Sequence, residues 1–65
     1  SIFLTVRGRE LAELCRRRHR IVLEFLRAIG VSEAVAATDA EGLEHHVSEE
    51  TLAALEQATR RLGGR

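Results

Sequence analysis

The chain predicts an all-α fold, a three-helix dimerisation domain, and three observations carry that prediction. Proline is absent, while alanine, leucine, glutamate and arginine dominate, all of them strong helix formers. Apolar residues recur at spacings of three and four through most of the length. Serine or glycine stands at each point where this periodicity is interrupted.

The first helix is expected from Thr5, a plausible N-cap, to about Ala28. Its apolar stripe is Leu11, Leu14, Cys15, Ile21, Val22, Phe25, Leu26 and Ile29. Gly8 weakens the first turn without breaking it, and Gly30 is suited to end the helix because it tolerates positive φ. Ser32 then caps a second helix with Glu33 at its positive end, carrying Val35, Ala36, Ala40, Leu43 and Val47. Ser48 caps a third, with Glu49 and Glu50 in its first turn. Leu52, Leu55, Ala58 and Leu62 line one side of it until Gly63-Gly64. Only Ser1 to Thr5 reads as strand, a short run that looks cut off on its N-terminal side.

Sixty-five residues make one small domain with a thin core, so a metal or a partner subunit is expected to supply stability. Cys15 is the sole cysteine, which excludes a disulfide within the chain and fits a cytoplasmic protein. No segment approaches the roughly 20 apolar residues of a membrane span. The apolar remainder on the second and third helices predicts burial in a second copy, a homodimer. The first residue is not Met, so a longer protein is expected. No nucleophile elbow, phosphate loop or paired acid and base is present; neither an enzyme nor a small-molecule substrate is expected.

Ten basic and ten acidic residues cancel, but unevenly. Residues 7 to 20 hold six arginines, whereas residues 33 to 50 carry six acids and neither lysine nor arginine. Within that acidic half lies the most informative stretch, Glu41-Gly42-Leu43-Glu44-His45-His46. Read as helix, it places Glu41, Glu44 and His45 within an arc of roughly 100°, beside the stripe of Ala36, Ala40, Leu43 and Val47. His46 falls away from that face. Oxygen and nitrogen donors without sulfur suit Mn(II) or Fe(II), and Zn(II) less distinctively. His19 on the first helix is placed to add a nitrogen from across the helix pair. Spacing alone leaves open a solvated acidic face with incidental histidines.

Three blocks of the chain resemble the diphtheria toxin repressor family, specifically its manganese transport regulator branch. They are Phe3-Leu4-Thr5-x-x-Gly8-x-x-Leu11-Ala12, Arg18-His19 followed by Phe25-Leu26, and Ile29-Gly30-Val31 with the run Asp39 to Ser48. The resemblance spans most of residues 3 to 55. It implies the C-terminal metal-binding and dimerisation domain of a metal-activated transcriptional repressor that meets operator DNA through an N-terminal winged helix-turn-helix domain. Residues 1–5 would then be the last strand of the wing, and residues 6–65 the helical domain. By motif position His19, Glu41, Glu44 and His45 match metal ligands, joined in the family by acids from the first helix of the DNA-binding domain. Glu41 stands where iron-responsive relatives carry cysteine, and a hard carboxylate there favours Mn(II). Where many relatives have glutamate four residues after the histidine, this chain has Leu23, with Glu24 beside it.

Other residues take plainer readings. Cys15, four residues before His19, is expected to be a small core residue rather than half of a zinc pair. Arg16-Arg17-Arg18-His19-Arg20 is expected to be a solvated face, some arginines pairing acids of the second helix, rather than a DNA phosphate contact. Arg60, Arg61 and Arg65 suit the negative end of the third helix and a frayed tail.

Overall fold

A computed structural model describes residues 2–63, with side chains from residue 7 onward. It contains three helices, α1 (Ile2–Ala28), α2 (Glu33–Leu43) and α3 (Glu49–Gly63). The expected strand over Ser1 to Thr5 is corrected: Ile2 to Thr5 form the first turn of α1, so Thr5 is not its N-cap. Ser1 lies outside the described residues, as do Gly64 and Arg65. The physical reason is hydrogen bonding. A strand needs a neighbouring strand to pair its backbone groups, and none exists among the described residues, whereas a helix pairs them internally.

α1 is the spine on which both shorter helices pack. It ends in a Schellman motif at Gly30, whose φ of 106° favours glycine. There the amide of Val31 donates to Leu26 O at 3.0 Å and that of Gly30 to Arg27 O at 3.1 Å. Val31 packs back on the core that contains Leu26, the apolar contact that accompanies this motif. Ser32 then opens α2, its Oγ accepting from the Val35 amide at 3.4 Å. Ser48 opens α3 in the same way, accepting from the Thr51 amide at 3.2 Å. Each satisfies a backbone donor that the first helical turn leaves without a partner.

The core is Ile21, Val22 and Leu26 of α1, Ala36 and Ala40 of α2, and Leu52 of α3. The two alanines let α2 approach α1 closely, and Leu52 fills the space from the other side. Leu23, Phe25, Val31, Val47 and Leu55 pack around this centre. All three buried α1 residues lie in its C-terminal half, because that is the part α2 and α3 cover.

Several predicted core positions are therefore exposed. Leu11, Leu14 and Cys15 lie on the stretch of α1 that precedes the bundle, so the core reading of Cys15 is corrected. Ile29, Val35, Leu43 and Leu62 are exposed as well. Periodicity identified the apolar face of each helix but not what covers it.

Candidate metal centre

α1 turns Arg18 and His19 towards the segment that joins α2 to α3, while Arg17 reaches α3 itself. α2 stops at Leu43, three residues before the end of the acidic and imidazole run. The Glu44 amide still bonds to Ala40 O at 3.0 Å. Those of His45 and His46 reach back only three residues, to Gly42 O at 3.3 Å and Leu43 O at 2.9 Å. Glu44 to His46 thus form a tight turn rather than a continued helix, and a helical wheel drawn through His45 loses its meaning there.

The turn delivers Glu44 to α1. Its side chain is only 15% exposed, and its Oε1 accepts from His19 Nδ1 at 2.9 Å. His45 follows along the chain, its Nε2 3.7 Å from Glu44 Oε2, with its ring 70% exposed. Glu41 sits on the exposed side of α2 and makes no hydrogen bond or ion pair among the described residues. His46 is exposed as well. Of the four predicted ligands, the fold therefore joins His19 to Glu44, places His45 alongside, and leaves Glu41 apart. No three His, Cys, Asp or Glu side chains among the described residues are assembled to hold an ion as they stand.

The donor types of the joined pair, an imidazole nitrogen and a carboxylate oxygen, are ones a divalent ion accepts. Two donors each about 2.1 Å from one octahedral ion, at right angles, lie about 3 Å apart. The 2.9 Å between Nδ1 and Oε1 is an ordinary hydrogen-bond length that is also compatible with that spacing. Seating an ion requires the bridging proton to leave Nδ1, because only a ring nitrogen with a free lone pair can ligate. His45 and Glu41 are both solvent-exposed.

One residue that sequence reasoning treated as surface charge organises this region. Arg18 donates through Nε and NH2 to Glu44 O, at 3.0 and 2.7 Å, and through NH2 to Val47 O. Its NH1 reaches Glu49 Oε2 at 3.2 Å. Arg17 lies 3.7 Å from Glu49 and 3.6 Å from Glu56. The arginine run thus pairs with acids of the third helix, not of the second as expected, while Arg16 and Arg20 remain exposed. The only sequence signal for Arg18 was its place directly before His19.

Comparison with known proteins identifies the family of the chain. A family model described as "Iron dependent repressor, metal binding and dimerisation domain" matches residues 5–62. The "Transcriptional regulator MntR" of Escherichia coli O6:H1 is 52% identical over 65 residues, all of this chain and 42% of the relative. That of Salmonella typhimurium is 52% identical over 63 residues, 97% of this chain and 40% of the relative. The "HTH-type transcriptional regulator MntR" of Geobacillus kaustophilus is 45% identical over 48 residues, 74% of this chain and 34% of the relative. The chain therefore spans about two fifths of the length of its enterobacterial relatives. No solved structure matches it. With the resemblance in its motifs, the helical fold and the matched domain in agreement, the chain belongs to the metal-binding and dimerisation domain family of the iron-dependent repressors, in its manganese-regulator branch.

Proposed function

We propose that the chain is the metal-sensing and dimerisation segment of a Mn(II)-dependent, DNA-binding transcriptional repressor that controls manganese homeostasis in the cytoplasm. The observation that carries this reading is the convergence of His19 from α1 with Glu44 from the turn after α2, at the spacing of two donors on one ion. His19, Glu41, Glu44 and His45 would hold the ion, together with acids from an N-terminal DNA-binding domain. The mixed oxygen and nitrogen set favours Mn(II), with Fe(II) and Zn(II) as the competing ions. The bound ion supplies positive charge that draws the carboxylates together; the chain's own residues set where they meet.

Regulation then follows from linkage. An ion bound between α1 and the α2–α3 turn stabilises one arrangement of the attached DNA-reading domains, so DNA affinity rises with metal, and metal affinity rises equally with DNA. The exposed Leu11, Leu14, Ile29, Val35, Leu43 and Leu62 support a homodimer as the assembled form. Residues 1–5 would join the chain to the DNA-binding domain, and residues 6–65 form the sensing domain.

Titration calorimetry with MnCl2 on the intact protein tests the assignment. Binding is expected, and His19→Ala and Glu44→Ala are each expected to abolish it. Unchanged binding in both variants overturns the site. A purely structural dimerisation module is the second reading, favoured by the finding that no three His, Cys, Asp or Glu side chains among the described residues are assembled to hold an ion. It requires that EDTA leave both melting temperature and DNA affinity unchanged.

A further inference from the structure

We propose that Arg18 is the positioning residue of the metal centre, the group that aims Glu44 at His19, an inference that rests on the metal reading above. Glu44 stands at the C-terminal end of α2, where backbone carbonyls lose their helical partners. The carbonyl of Glu44 and that of Val47 both turn towards α1, and a single guanidinium takes both. Its remaining arm holds Glu49 Oε2, at the start of α3. One side chain therefore fastens the residue that carries the candidate ligand, the end of the turn, and the helix that follows.

The chemistry of the side chain explains why arginine serves here. Guanidinium is a planar fork with five donors, so two of its nitrogens can converge on Glu44 O while one of them also serves Val47 O. Ammonium is a point charge without that geometry. Arg18 is also adjacent to His19 in the chain, so the anchor and the imidazole move as one unit of α1. With its backbone held on that helix, Glu44 needs only its own side-chain rotamer to reach Nδ1. Without Arg18, the tether between His19 and Glu44 would rest on the hydrogen bond that an arriving ion must replace. The cation also lies against the negative end of α2, where it offsets the dipole, so the anchor costs little to maintain.

Arg17 supplies the control. It belongs to the same helix and binds the same α3, through Glu49 and Glu56, yet makes no hydrogen bond to the turn among the described residues. A general weakening of the α1–α3 docking is therefore separable from a loss of aim.

The test measures MnCl2 affinity by calorimetry in the intact protein, alongside amide hydrogen exchange in the metal-free state. Arg18→Ala is expected to weaken binding by about 10- to 100-fold, the usual range for residues that orient ligands. Arg18→Lys, which keeps the charge and loses the fork, is expected to weaken it severalfold, and it carries the test if the alanine variant does not fold. Arg17→Ala is expected to stay within about twofold of the parent. In either Arg18 variant the amides of His45 and His46 should exchange faster while that of Leu52 does not. Parental affinity in both Arg18 variants overturns the proposal and leaves the metal assignment standing. So does an equal loss in Arg17→Ala, or exchange that quickens at Leu52 as much as in the turn. Failure of the parent protein to bind Mn(II) instead overturns the functional reading, and this one with it.

Discussion

Leu52→Ala puts the packing described above to its hardest test. Leu52 is fully buried, the one α3 residue among those described that belongs to the buried core. Truncation removes three carbons from a site with no solvent contact. At about 0.8 kcal/mol for each buried carbon the transfer loss is about 2 kcal/mol, and the cavity left behind raises it to about 3 kcal/mol. A 65-residue domain has about 3 to 10 kcal/mol of total stability at typical values per residue. The substitution therefore removes about three tenths of it at least. Urea titration followed by circular dichroism at 222 nm, run at two protein concentrations, reads the change as a lower midpoint with an unchanged slope. A loss below about 1 kcal/mol at both concentrations would mean that α3 does not seat Leu52 against α1, and the fold as described would be wrong.

Further outcomes follow from single features. Gly30→Ala should destabilise by about 1 to 2 kcal/mol in the same titration: no atom crowds the added methyl, so the cost is that of forcing a side-chain-bearing residue to φ 106°. Ser48→Ala should cost about 1 kcal/mol by removing the cap on α3, and Ser32→Ala less, because its hydrogen bond is longer. Leu14→Glu, at an exposed position on α1, should change little in monomer stability and shift the assembly towards monomer in sedimentation velocity; a monomeric parent protein would refute the dimer reading. Arg17→Ala should alter stability by less than about 1 kcal/mol, since its partners Glu49 and Glu56 are both partly or wholly exposed; denaturation in low and high salt checks it.

What was legible in the sequence was what is local. The three helices, the caps at Ser32 and Ser48 and the stop at Gly30 are all written within a few residues of where they act. The run Ile2-Phe3-Leu4-Thr5 was misread because apolar and β-branched composition does not say whether a pairing strand exists. The fate of Leu11, Leu14 and Cys15 was not legible either, since a helical stripe gives no information about how far along it a neighbour extends. For the candidate site, residue types suggested the donors, and the structure joins His19 to Glu44, 25 residues along the chain. The placing of His45 relied on a helix continued past Leu43, and the backbone turns there instead. Arg18 escaped notice because its partners are carbonyls 26 and 29 residues away, groups that every residue possesses and no side-chain pattern announces.

The length of α1 gives these details reach. His19 stands 17 residues after the start of the helix, a rise of about 25 Å at 1.5 Å per residue. A tilt of about 10° at the imidazole would swing the opposite tip of such a rod through about 4 Å, more than half a helical turn. On the proposed reading, a small reorientation of α1 at His19 would thus reach the far end of the helix as a displacement of several ångströms, with the rod as lever and the bundle as fulcrum.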